Sequence, residues 1–362
     1  MTEPLQTRLR LLFSKTKKDV TEDLLPDLLS FEYRDRESAE ADELSLTMKD
    51  PDGKWASRWK PEGGEVVRAY LSAGTVTAAG PELFCGTFFV DTLRVSGAPR
   101  VFELTALSVP LNTAIRKKMK TRAWEKTSLK AVASVIAKEA GVRLLFDAAE
   151  DPKYDRLDQA KESDLALLLR LSDESGYSLK VTDERIVIFD QAYYEKKSPI
   201  ATVTLGVSQV LSWEFETSQG ETYKSCKVCW RDPKQKKKQK AGGYDFYLRK
   251  IEKKDTNPAV MTYTAVDPNV DTCGQEYELK KRATSLAEAK RLATAKLRSL
   301  NRRSVTGSLT LVGNVMLVAG AVIECQGFGS FDGNFIIEEA EHVVDGSGFR
   351  TSLTLRRVNH VY

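Results

Sequence analysis

A chain of 362 residues, with 41% hydrophobic and 29% charged side chains, has the size for two or more globular domains and an ordinary soluble composition. Its 55 Lys and Arg against 51 Asp and Glu leave a formal charge of +4, which excludes a general electrostatic case for nucleic-acid binding and leaves only local patches. No stretch approaches the roughly 18 apolar residues of a membrane helix. Leu9 to Phe13, broken by Arg10, lacks the apolar core of a secretory leader. The chain is therefore expected to be made in a cytosol, without stable membrane insertion.

From residue 1 to about 110 the pattern predicts short strands, clearest at Phe84 to Val95 and Val101 to Val109. In the second, Phe102, Leu104 and Ala106 alternate with Glu103 and Thr105, the period of a half-buried strand. Phe31 to Arg34 and Leu44 to Met48 are further strands, with turns at Asp50-Pro51-Asp52-Gly53, Pro61-Glu62-Gly63-Gly64 and Ser96-Gly97-Ala98-Pro99. The set predicts a first β domain, a barrel or sandwich, over 1–110.

An α+β domain is expected over 111–199. Thr127 or Ser128 caps a helix whose apolar face is Leu129, Val132, Ala133, Ile136 and Ala140, and Gly141 ends it. Ser163 caps a second helix, with Asp164 at the positive end of its dipole and Gly176 after it. Leu179 to Val181 and Arg185 to Phe189 form a hairpin across Asp183-Glu184.

Strands resume at Thr202 to Leu205, Val210 to Phe215 and Tyr223 to Trp230. Residues 200–230 together with 301–362 are expected to form a second β domain, interrupted by an insertion over 231–300. The insertion carries a basic loop and one helix, opened by Ser285 with Glu288 in capping-box position. The last segment is a run of strands punctuated by Gly313, Gly320, Gly327, Gly329 and an Asp332-Gly333-Asn334 turn; Val315 to Ile323 reads as strands about Gly320.

Candidate chemistry is sparse. Cys226 and Cys229 form a C-x-x-C, but within an alternating strand rather than at a helix N-terminus, and only His342 and His360 are present to complete a zinc site. Small buried thiols are the reading adopted; five scattered cysteines give no disulfide framework. Glu338, Glu339 and Glu341 invite comparison with a glycosidase carboxylate pair. Neighbours in a strand point to opposite faces, so only Glu339 and Glu341 share one, and a solvated strand face accounts for them. Ser163, between Glu162 and Asp164, has no base and is explained as a cap. Gly327-Phe328-Gly329 lacks the following helix of a phosphate cradle. Lys234, Lys236, Lys237, Lys238 and Lys240 form a loop without interleaved aromatics, a solvated tip or a docking patch for an acidic partner. No catalytic residue, metal or cofactor is assigned.

Three segments carry a resemblance in order along the chain. They are Leu111-Asn112-Thr113-Ala114-Ile115 with Thr121-Arg122-Ala123-Trp124-Glu125-Lys126-Thr127-Ser128-Leu129, then Glu162 to Leu171 with Gly176, then the glycine-punctuated C-terminus. Together they resemble the phage late control D family, baseplate hub proteins of contractile phage tails and related injection systems. The resemblance implies two tube-protein-like β-barrels flanking a small α+β domain, a mainly β fold with α+β insertions. It further implies a structural, non-enzymatic homotrimer that adapts a hexameric tail tube to a trimeric spike, beside tape-measure and baseplate wedge proteins. Such a protein is made in the bacterial cytoplasm and assembled into the particle, and no specific nucleic-acid binding is expected of it. The chain ends at Tyr362, just after its last strand, so the spike is expected to be a separate protein. A tail-tip cell-wall hydrolase and a polyanion-binding regulator are the alternatives.

Overall fold

Alternating apolar and polar side chains draw most of this chain into strands, and the strands into sheets with one buried face. The structure is a computed structural model that describes residues 6–13, 18–19, 21–38, 40–75, 80–109, 114–182, 184–218, 220, 222–230, 261–270 and 275–358. Two compact units result. The larger takes in the chain up to 172, 177–217 and the segment from 302 onward; the smaller takes in 173–176 and 218–301.

The first β region of the larger unit comprises β1 (Gln6–Phe13), β2 (Lys18–Asp19), β3 (Leu28–Arg36), β4 (Glu43–Lys49), β5 (Val66–Gly74), β6 (Glu82–Ser96) and β7 (Val101–Leu107), with a single helical turn α1 (Thr21–Leu24) after β2. Leu9, Leu11, Phe31, Leu44, Leu46, Val67, Phe88, Phe102 and Leu104 fill its core. The strand at Phe102, Leu104 and Ala106 faces inward as its alternation predicts. β1 carries the same signal, Leu9, Leu11 and Phe13 inward between arginines, and is a full strand rather than a loose apolar patch.

A small α+β layer follows: α2 (Ala114–Lys117), β8 (Met119–Ser128), α3 (Leu129–Ala140), β9 (Arg143–Asp147), β10 (Lys153–Ser163), α4 (Asp164–Asp173), β11 (Tyr177–Val181), β12 (Arg185–Asp190) and α5 (Gln191–Glu195). Ser128 caps α3 by accepting from the Ala131 amide, and Gly141 ends it in the left-handed region at φ +73°. Ser163 accepts from the Ala166 amide at 3.2 Å and caps α4. β11 and β12 pair antiparallel, and β12 pairs parallel with β9. Leu129, Val132, Ile136, Leu167, Leu168, Leu171, Ile186 and Ile188 form the core between the helices and this sheet. β8 and β10 form a separate two-stranded ribbon.

The last elements are β13 (Ala201–Thr204), β14 (Val210–Thr217), β15 (Tyr223–Trp230), β16 (Met261–Val266), β17 (Gln275–Ala283), α6 (Leu286–Asn301), β18 (Val305–Val312), β19 (Val322–Gln326), β20 (Gly333–Asp345) and β21 (Gly348–Arg357). The second β region uses β13, β14 and β18 to β21, around Val203, Leu309, Leu317, Ile323, Phe335, Ile337, Leu353 and Leu355. β15 was expected to belong there. It pairs instead with β16 and β17 alone, and α6 covers that sheet through Ala289, Leu292, Ala293 and Leu297. β15 and β17 run parallel. The smaller unit thus begins before residue 231 and has its own core. At its helix start Ser285 accepts from the Glu288 amide, while the Glu288 carboxylate reaches back to the Thr284 amide, one position earlier than a standard capping box. Residues 315–321, read from sequence as strand, are turns, and β19 starts only at Val322.

One sheet of 13 strands runs through the larger unit in the order β14-β18-β21-β20-β3-β4-β7-β6-β5-β1-β2, with β19 also on β20 and β13 on β19. The two β regions meet where β20 pairs antiparallel with β3, Glu339 opposite Arg36 through Asp345 opposite Ser30. β20 serves both regions along one edge: its start, Gly333 to Ile336, pairs with β19, and its end with β3. The switch falls at a register irregularity between Ile337 and Glu339. Before it Phe335 and Ile337 enter the second core; after it Ala340 still lies in that core, while His342 packs against Tyr33 and Phe349 of the first. A bulge changes which face a strand buries, and here it allows one strand to close two cores.

Gly313 earns its place by close packing: an added Cβ would sit 2.0 Å from the Phe349 ring, and Phe349 with Val315 packs into the first core. Gly313→Ala is expected to lower stability by about 1–3 kcal/mol, read as a shifted urea midpoint at unchanged slope; an unshifted midpoint would remove crowding as the reason for glycine there.

Candidate functional site

The β3–β20 junction, where the two β regions become one sheet, gathers charged side chains of the larger unit. On its polar face Arg34 and Arg36 of β3 stand opposite Glu341 and Glu339 of β20. Arg34 Nε donates to Glu341 at 2.8 Å and Arg36 Nε to Glu339 at 2.9 Å. Glu32 takes the other side of Arg34 at 2.7 Å. Burial, then the nearby Glu341 carboxylate, push Glu32 up to about 7. Glu339 and Glu341 do share a face, as strand alternation requires, and each holds an arginine.

On the other side of the junction lie two buried charge clusters. Lys180, at the end of β11, places Nζ 2.8 Å from Asp35 Oδ1 and 3.1 Å from Asp42 Oδ1, and donates to the Arg36 carbonyl. Asp35 Oδ2 accepts from the Ala319 amide, so one carboxylate ties the α+β layer to both β regions. Burial pushes Asp42 up to about 6 although Lys180 opposes it. Burial also works against the Lys180 charge, but the two aspartates outweigh it and hold its pKa above the ordinary lysine value.

The second cluster centres on Arg356 of β21, 1% exposed. Its NH1 donates to Glu195 of α5 at 2.5 Å, its Nε lies 3.2 Å from Glu338, and its NH2 lies 3.6 Å from Glu37. Gln191, also on α5, donates to Glu37. Glu338 sits at the β20 irregularity and is turned away from its neighbour Glu339, towards Arg356 and Arg303. Burial first, and the Glu338 and Glu195 charges after it, raise the Glu37 pKa despite Arg356. Nothing in the sequence distinguishes Arg356 or Lys180 among 55 basic residues; pairing across 161 and 145 positions reveals them.

His342 is fully buried between Tyr33 and Phe349, with Nδ1 3.1 Å from Thr351 Oγ1. Burial pushes its imidazole down to about 4. The thiols of Cys226 and Cys325 are buried, and burial raises both, Cys325 to about 12. Among the described residues no group of three or more His, Cys, Asp or Glu is arranged to hold a metal ion, and no described helix is long and apolar enough to cross a membrane.

Of the glycines singled out in the C-terminal segment, Gly320, Gly327 and Gly329 occupy connections at φ +81°, +85° and +70°, while Gly333 opens β20. Asp332 closes the 3-10 turn Gly329–Phe331 and accepts from the Phe328 amide, so the β19–β20 connection is longer than a two-residue hairpin. Lys234, Lys236, Lys237, Lys238 and Lys240, like Leu111-Asn112-Thr113, Cys273 and His360, lie outside the described residues.

What sequence reasoning missed is an exposed apolar sheet edge. Among the described residues β14 pairs only with β18, and Leu211 and Trp213 on it are 56% and 48% exposed. Phe215 stacks on Phe331 and meets Phe328 and Phe335, so an aromatic cluster backs this edge. An alternating strand left open in this way offers its unpaired backbone groups as a template for another strand.

Arg356→Met leaves Glu37, Glu195 and Glu338 facing one another without their cation and is expected to cost about 3–5 kcal/mol of stability, measured by chemical denaturation. For His342 folding favours the neutral ring. Its contribution is complete above pH 6.5 and is lost as pH falls from 6.5 to about 4. The wild type is expected to lose on the order of 3 kcal/mol relative to His342→Phe across that window; parallel pH–stability curves for the two proteins would contradict this.

Comparison with known proteins gives the same outline. The phage tail baseplate hub (GPD) family matches residues 97–347. A probable baseplate hub protein of Escherichia phage 186 is 25% identical over 95% of this chain and 92% of its own length. Among solved structures, the fold is shared with a 43 kDa tail protein of prophage MuSo2 from Shewanella oneidensis, at 13% identity and TM-score 0.69, covering 99% of this chain and 100% of that one. It is also shared with an Escherichia coli type VI secretion component, at 14% identity and TM-score 0.55, covering 99% and 78%.

Proposed function

The chain belongs to the phage tail baseplate hub family and is a structural hub of a contractile tail; from that premise we propose that three copies close into a ring between a hexameric tail tube and a trimeric spike. The observation that carries the reading is the β3–β20 junction. It joins two β regions, each with its own core, into one sheet within a single chain. Three such chains offer six β regions, matching sixfold symmetry on one side while keeping threefold symmetry on the other.

The role proposed is non-enzymatic. The carboxylates that most resemble a hydrolytic pair, Glu339 and Glu341, are engaged by Arg36 and Arg34 across the junction, an arrangement suited to holding strands together. The protein is proposed to be made in the bacterial cytoplasm and then incorporated into the baseplate, with tape-measure and wedge proteins as further neighbours. The lysine-rich run over 234–240 is proposed as a docking patch for an acidic partner.

Mass measurement of the purified chain, alone and with its cognate tube and spike proteins, tests the ring. A species of three copies, alone or on mixing, is expected. A chain that stays monomeric in every mixture overturns the proposal.

A further inference from the structure

Besides β13 on its side branch, the main path of the 13-stranded sheet has two ends, and among the described residues they carry complementary patterns. One end is β14, whose polar-face charges are Glu214 and Glu216, exposed and without an ion pair among the described residues. The other end is β1. β2 covers only Leu12 and Phe13 of it, and the Thr21 hydroxyl accepts from the Leu11 amide, so among the described residues the outer edge from Gln6 to Arg10 has no partner strand. Its polar-face charges are Arg8 and Arg10. Arg8 is exposed; Arg10 stacks on Tyr70 and bridges Glu82 at 2.9 Å with much of its side chain still in solvent.

The junction inside the chain shows what such strands do when they meet. There an Arg-x-Arg of the first β region, Arg34 and Arg36, pairs antiparallel with a Glu-x-Glu of the second, Glu341 and Glu339. The open ends repeat this spelling: Arg8-Leu9-Arg10 on the first β region and Glu214-Phe215-Glu216 on the second. Set antiparallel with Arg8 opposite Glu216 and Arg10 opposite Glu214, the strands also bring Leu9 opposite Phe215, within the free edge from Gln6 to Arg10. The apolar faces then continue from one sheet to the next, as side-chain alternation requires.

We propose that β14 of one copy pairs antiparallel with β1 of a second copy of this chain in that register, so that the contact between copies repeats the junction within each copy. This deepens the ring reading and rests on it. The contact is heterologous: each copy offers one end and receives the other, and rotation of successive copies closes a ring in which the β14 and β1 edges are covered.

Charge reversal tests it in the full chain mixed with its tube and spike proteins. Arg8→Glu with Arg10→Glu, and separately Glu214→Arg with Glu216→Arg, are each expected to weaken association of copies at least tenfold, and the four changes together to restore it. Circular dichroism and thermal melting confirm folding of each variant. An independent reading comes from Arg8→Cys combined with Glu216→Cys, which is expected to give disulfide-linked dimers and trimers on oxidation where the wild type gives none. Normal assembly of both reversed variants, failure of the fourfold swap to restore it, or an absence of cross-links in assembled rings overturns this contact and leaves the ring reading standing. A wild type that never associates overturns the ring reading, and the contact with it.

Discussion

Antiparallel pairing of β3 with β20 is the constraint on which the rest of the larger unit depends. Seven register positions, from Arg36 opposite Glu339 to Ser30 opposite Asp345, make two β regions a single sheet. A tether of chain alone would leave such regions free to move, because short interfaces between domains permit relative motion. Here the backbone ladder, the arginine–glutamate face and the shared burial of Phe349 and Val315 in the first core act on the same few strands.

The buried charges belong to that constraint. Lys180 reaches Asp35 and Asp42, and Glu195 reaches Arg356, so the α+β layer is attached by one cation it supplies and one it receives. Buried ion pairs add little net stability, since desolvation offsets most of their attraction. Their effect is directional. A displaced layer would leave the buried Asp35 and Asp42 without Lys180 and Arg356 without Glu195, which is far more costly than exposing an apolar contact. The pairs therefore fix the orientation of the two β regions and the α+β layer rather than adding to total stability.

Local order was legible from the residues and long-range pairing was not. Ser128, Gly141, Ser163 and the Ser285–Glu288 pair fix helix ends through contacts within a few positions, and all four are where sequence patterns put them. β8 and β10 escaped notice because a two-stranded ribbon with both faces largely exposed imposes no apolar period. β15 was recognisable as a strand, but its affiliation depends on β16, β17 and α6, whose pairing lies tens of residues away. The double use of β20 was equally hidden, since a bulge at Glu338 looks in sequence like one more residue of strand. The carboxylates around it drew attention for catalysis; their arginine partners, some 300 positions earlier, could be identified only once the sheet was assembled.

Native-state hydrogen exchange tests most directly whether the junction makes the larger unit one body. The account predicts that amides of residues 30–36 and 339–345 that bond across the junction exchange only with global unfolding, alongside those of Leu104 and Leu353 in the two cores. Exchange of the junction amides through a low-energy opening, while both cores stay protected, would contradict it.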